Sequence, residues 1–179
     1  MKIIGIVGFI GCGKDTVEEY IAEKYGYESI NMGDLLREMA AKEGLTMSRE
    51  GLRNLRIRKG NTFLAEEVVR RIKDSGWKKV IIVGIRRSED YEIPREAFGG
   101  NIRLILVDVT EENRFERIKK RGREGDPQNI EEFREQDQRD NEIFDFDKTF
   151  SYADYILDNN GSKEDLKRRI DKIMARIEK

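Results

Sequence analysis

Apolar positions along the chain fall into two rhythms. Continuous runs rich in β-branched residues occur at "KIIGIVG" (2–8), "KKVIIVG" (78–84) and "NIRLILVDV" (101–109). Runs of this kind predict strands buried on both faces. Two shorter runs, "YESINM" (27–32) and "ADYILDN" (153–159), predict two more. Elsewhere apolar residues recur at helical spacing, as with Val17, Ile21 and Tyr25 in "KDTVEEYIAEKYG", where Gly26 marks the stop. Helices are likewise predicted over 33–44, 48–60, 61–76, 110–122 and 162–179, with Ser48 and Asn61 as N-caps of the second and third. The polar stretch "REGDPQN" (123–129) breaks the pattern before a charged helix from about Ile130. No repeat, low-complexity tract or linker interrupts the order, which predicts a single domain over 1–179.

Strands alternating with helices predict a three-layer α/β fold, with about five parallel strands and right-handed crossovers on both faces. Ligands of such sheets gather at the carboxyl ends of the strands. Four chemically distinctive segments lie there: "GFIGCGKDT", "NMGD", "VGIRR" and "LDNNG".

Composition narrows the chemistry. The chain has 179 residues, enough for a substantial core, and its 35 Lys and Arg nearly balance 36 Asp and Glu. That balance argues against a general nucleic-acid or membrane-surface binder. No stretch resembles a membrane span or a signal peptide, and a single cysteine, Cys12, suits the reducing cytoplasm. There is no histidine, which removes imidazole bases and His-ligated zinc. Chemistry is left to carboxylates, Lys, Arg, hydroxyls and added metal ions.

"GFIGCGKDT" (8–16) supplies a phosphate-binding loop between a strand and a helix, the context such a motif requires. Gly8, Gly11 and Gly13 let the backbone aim N–H groups at phosphate oxygens, and Lys14 reaches the outer phosphates. Cys12 fills a place where a small residue is needed. The usual motif has Ser or Thr directly after the lysine; here Asp15 stands there and Thr16 follows. A carboxylate is a stronger magnesium ligand than a hydroxyl and tolerable beside phosphates when a cation lies between them. The strand end that usually carries a second magnesium-binding Asp offers Val83 and Gly84. Asp15 is therefore the expected metal ligand, with a helix-dipole role as the alternative.

"GKDT" resembles the P-loop of phage-type deoxynucleoside monophosphate kinases and phosphomevalonate kinases. "NMGDLLRE" resembles the acceptor-binding segment of adenylate kinases, which implies that Arg37 clamps the acceptor phosphate with Asp34 beside it. "VGIRRSEDYE" is similar to the "DGIR" region of adenylate-kinase-like proteins, with Arg86 at the matching position and Arg87 next to it. The stretch "ERIKKRGREGDPQNIEEFREQDQRDNE" (116–142) resembles the mobile lid of these kinases: Arg117, Arg121 and Arg123 precede the break, and Arg134 and Arg139 follow it. Arg121 and Arg139 are the foremost candidates for phosphoryl stabilisation. "ADYILDNNGS" resembles the last strand and loop of dephospho-coenzyme A kinases, which implies that Asn159, Asn160 and Gly161 lie near the nucleotide base. The basic helix with Arg49, Arg53, Arg56, Arg58 and Lys59 reads first as a solvated face and second as a basic wall for a substrate with extra phosphates.

The resemblance implies a nucleoside monophosphate kinase-like fold with an acceptor-binding segment over about 33–75 and a lid over about 121–140. The implied activity is ATP- and magnesium-dependent phosphoryl transfer to a small phosphorylated acceptor, most simply a (deoxy)nucleoside monophosphate, by a monomer or homodimer. Two alternatives stay open: a dephospho-coenzyme A kinase, and a regulatory ATPase that binds RNA or a protein.

Overall fold

The computed structural model describes residues 1–123 and 125–179, with Arg49 described by its backbone alone. The expected alternation is present: β1 (Lys2–Val7), α1 (Lys14–Tyr25), β2 (Glu28–Asn31), α2 (Met32–Lys42), α3 (Arg49–Lys59) and α4 (Phe63–Ser75) come first. β3 (Lys79–Val83), α5 (Ser88–Ala97), β4 (Ile102–Asp108), α6 (Glu111–Arg121) and α7 (Ile130–Phe144) follow, and α8 (Phe146–Phe150), β5 (Tyr155–Asp158) and α9 (Lys163–Ile177) close the chain.

All five strands are parallel, in the order β2-β3-β1-β4-β5. β1 lies at the centre, with Ile4 opposite Ile81 on one side and Arg103 on the other. From β1 the chain crosses to β2 at one edge, and from β3 it crosses back past β1 to β4 and β5, so the loop that leaves β1 opens where the order of connections switches and such sheets bind ligands. Two apolar layers cover the sheet. One joins Ile3, Val7, Ile82 and Leu104 to α2, α4 and α5 through Leu35, Val68 and Tyr91. The other joins Ile4, Ile6, Ile81 and Ile105 to α1 and α9 through Ile21, Ile170 and Met174.

Three local outcomes differ from the sequence reading. Asn61 is not the cap of α4; Thr62 holds that position without a capping side-chain bond, and Asn61 reaches Glu89 instead. Ser48 does cap α3, accepting from the Gly51 amide. The helices α5 and α8 were not anticipated: α5 carries Pro94 inside it, and α8 is five residues long. Among the described residues no helix is long and apolar enough to cross a membrane.

Candidate active site

The loop between β1 and α1 is tightly packed. Gly13 adopts φ 90°, and a Cβ there would fall 2.6 Å from Nδ2 of Asn159. A Cβ on Gly8 would meet both the Cys12 sulfur and the Val107 carbonyl at 2.7 Å. Neither position has room for a side chain, so the backbone itself lines the cradle. Lys14 bends back over the loop, its Nζ donating to the carbonyls of Gly8 (2.9 Å) and Phe9 (3.1 Å). Its charge is thereby held on the side where the loop amides converge.

A ring of side chains supports the loop from beneath. Asn159, at the end of β5, donates to the Cys12 carbonyl at 2.8 Å. Arg117 donates to that same carbonyl and, at 2.6 Å, to the Asn159 carbonyl. Arg114 donates to the Ile10 carbonyl, pairs with Asp137 on α7, and lays its guanidinium 4.8 Å from the Phe9 ring centre. The structure thus places Arg117 and Asn159 as braces of the P-loop. Arg114 was missed by the sequence reading, although 114, 117 and 121 share one face of a helix at spacings of three and four, and that was the available signal.

In front of the loop lies a cleft of about 370 Å³. Lys14 and Asp15 form its floor, and arginines reach it from four other segments. Arg37 comes from α2, Arg53 and Arg56 from α3, Arg86 from the turn after β3, and Arg121 and Arg123 from the end of α6 and the polar loop. Met32, Leu36, Leu52 and Phe144 supply apolar wall. A second cavity of about 90 Å³ adjoins the P-loop and shares Ile10, Lys14, Gly84, Arg86 and Asp140 with the first.

The arginines are tied to acids in a connected chain. Arg56 forms a buried ion pair with Asp90, whose Oδ2 also accepts from the backbone amides of Arg86 (2.8 Å) and Arg87 (2.9 Å). This fixes the turn that presents Arg86. Asp140, on α7, stands 3.8 Å from Arg86 and 3.6 Å from Arg53. The guanidiniums of Arg56, Arg86 and Arg87 all lie 5.1–5.5 Å from the Phe144 ring centre. Arg121 pairs with Asp126, which also accepts from the Arg123 amide and so folds the polar loop onto the end of α6.

Other predicted residues lie elsewhere. Asp34 is exposed and pairs with Arg37 one turn later, while Arg37 itself faces the cleft. Thr16 is exposed and lines neither cavity. Arg139 is exposed on α7 and lines neither cavity; Arg134 pairs with Glu111. Asn160 accepts from Thr110 N and Asn113 Nδ2, away from both cavities. From the basic helix, Arg53 and Arg56 turn inward, whereas Arg58 and Lys59 pair with Glu43. Glu18, one turn beyond Asp15, has its carboxyl raised above the usual range, mainly by burial, with repulsion from Asp15 and Asp34 adding and the Ser29 hydrogen bond opposing. Among the described residues no group of three His, Cys, Asp or Glu gathers to form a metal cage. Asp15 is the residue that would hold a magnesium ion at this loop, where its charge would offset that of bound phosphates.

Residues 7–134 match the AAA domain family. A UPF0200 protein of Methanothermobacter thermautotrophicus is 36% identical over 99% of this chain and 91% of its own length. The chain belongs to the UPF0200 family. A UPF0200/UPF0201 protein of Archaeoglobus fulgidus is 35% identical over all of the chain, which spans 57% of that longer relative. Among solved structures, the shikimate kinase of Bacteroides thetaiotaomicron superposes with a TM-score of 0.65 at 15% identity, over 99% of each chain. This UPF0200 chain therefore has the P-loop kinase fold, a three-layer α/β sandwich around a parallel five-stranded sheet.

Proposed function

We propose that this protein transfers the γ-phosphoryl group of ATP to a small anionic acceptor bound in the cleft. The observation that carries the reading is convergence. Lys14 of the P-loop faces the same 370 Å³ space as Arg37, Arg53, Arg86 and Arg121, which come from four separate elements. Phosphoryl transfer asks a protein for positioning and for positive charge around the moving group. The P-loop amides and Lys14 would hold the ATP phosphates, and Arg37 the acceptor's anionic group. Arg86 and Arg121 would spread charge over the phosphoryl in flight, and the segment from Arg121 to Asp140 would close over it and exclude water. Magnesium, held by Asp15 and the phosphates, would neutralise charge between the two outer phosphates. The likeness of "NMGDLLRE" to the adenylate kinase segment supports the anion-gripping role of Arg37 and keeps nucleoside monophosphates among the candidate acceptors. The buried thiol of Cys12 is in keeping with a cytoplasmic setting.

The test is ADP release from ATP and magnesium, with and without candidate acceptors. Release that depends on one small acceptor supports the proposal. Hydrolysis indifferent to every acceptor but stimulated by RNA or a protein would replace it with a regulatory ATPase.

A further inference from the structure

We infer that the group phosphorylated is a hydroxyl on a small anionic molecule, and that Asp140 accepts its proton. The inference rests on the phosphotransferase reading above and concerns the atom that attacks. Asp140 borders both the cleft and the smaller cavity at the P-loop, and Lys14 and Arg86 border both as well. It therefore lies where the donor and acceptor halves of the site meet. Its carboxylate is 6% exposed, on a helix that returns from the polar loop.

Asp15, Asp126 and Asp137 each border only one of the two cavities. Asp137 is 2.5 Å from Arg114, and Asp126 accepts from Arg121 Nε at 3.0 Å while pairing with Nη2 of the same residue. Asp140 bridges Arg53 and Arg86 at 3.6 and 3.8 Å. Both arginines hold the carboxylate in place.

A carboxylate at this junction discriminates between nucleophiles. An attacking phosphate is already an anion, needs no base, and is repelled by a second anion. A hydroxyl is a poor nucleophile until its proton has somewhere to go, and a positioned Asp is what kinases of hydroxyl groups use for this purpose. Arg37 and Arg53 then grip a carboxylate or phosphate elsewhere on the acceptor, with Met32, Leu36 and Leu52 against its apolar body. In the step itself the acceptor oxygen forms a bond to the γ-phosphorus of ATP. The bond from that phosphorus to the β,γ-bridging oxygen breaks, ADP leaves, and the hydroxyl proton passes to Asp140 and then to solvent.

The experiment uses the full chain with ATP and magnesium against two panels. One holds hydroxylated anions: glycerate, glycerol 3-phosphate, shikimate, gluconate and dephospho-coenzyme A. The other holds AMP, CMP, GMP, UMP and dTMP. ADP release finds the acceptor, and phosphorus NMR reads the product, where a new monoester is a signal without phosphorus–phosphorus coupling and an anhydride is a coupled doublet. The expected result is stimulation by the first panel and a monoester. Asp140→Asn should then lower kcat about a hundredfold or more while the acceptor KM moves less than about threefold. A residue that merely neutralised Arg53 and Arg86 would behave oppositely, tightening the acceptor and sparing kcat. An anhydride product in the wild-type protein overturns the inference whatever the variant does, and leaves the kinase reading standing. Silence from both panels overturns the two together.

Discussion

The P-loop and the cleft in front of it share Lys14 and differ in how they are held. Around the P-loop the working surface is backbone, and it is braced from behind by Asn159, Arg114 and Arg117 at bonds of 2.6–3.3 Å to main-chain carbonyls. Gly8 and Gly13 leave no space for so much as a methyl group. Across the cleft the working surface is side chain. Arg37 has half its side-chain surface in water, and Arg53 and Arg86 meet Asp140 at 3.6 and 3.8 Å. A polyphosphate offers every donor the same oxygens, so a rigid backbone cradle suffices for it. On the proposed function, an acceptor of a particular shape would be met by long side chains from two helices and a strand-end turn, which can move with those elements.

The contrast is sharpest at Lys14. Lys14→Ala should lower turnover by at least about a thousandfold with an unchanged circular dichroism spectrum, because its charge serves phosphates and its bonds to the loop are local. Wild-type-like turnover in the folded variant would remove the P-loop from the chemistry altogether.

The next effect belongs to the other half. Arg37→Ala should cut kcat/KM for the acceptor about thirty- to a thousandfold, on the scale of a lost charge-assisted contact of roughly 2–4 kcal/mol. KM for ATP should hardly change. Arg37→Lys should recover little, since a point charge cannot reproduce a forked grip. A loss below about tenfold, shared equally by both substrates, would put Arg37 on the surface rather than in the clamp.

Gly13→Ala tests the packed half through its backbone. A Cβ in this left-handed conformation costs about 1–2 kcal/mol, and displacement of Asn159 adds to it. The melting temperature should fall by several degrees and ATP affinity by about tenfold, measured by thermal scan and by titration calorimetry. Unchanged ATP binding would mean that the brace from β5 is dispensable.

The smallest shift is expected at Asp15. Asp15→Ala should move the magnesium titration of activity upward several-fold, whereas Asp15→Ser keeps much of it because a hydroxyl still ligates the ion. An unaltered titration in the alanine variant would leave Asp15 with only its favourable place at a helix N-terminus.

The difference between the halves also explains what could be read in advance. β1, β3 and β4 announce themselves as unbroken apolar runs, and the P-loop as glycines at fixed offsets, because both are written locally. Arg37 and Arg86 were legible as arginines placed just beyond strand ends. The partners of the cleft were not. Asp90 and Asp140 are buried acids in helices where charge is everywhere, and in a chain that is 40% charged a buried carboxylate looks like its solvated neighbours. Arg53 and Arg56 were weighed first as surface for the same reason. Helix α5 escaped notice because Pro94 interrupts its pattern, while its buried face is Ser88, Asp90, Tyr91 and Pro94 rather than an aliphatic stripe.

The bond from Asn159 to Cys12 joins residues 147 positions apart. Synthesis lays down the P-loop long before Asn159. β1 must likewise wait for β3 and β4 before either of its edges is paired. A ribosome-bound chain that stops short of β5 therefore carries the whole phosphate motif and the supports from Arg114 and Arg117 but lacks the brace from Asn159. On the proposed function, nucleotide capture by the nascent protein should strengthen as β5 emerges, and ATP would then draw chains that have reached it out of the folding equilibrium.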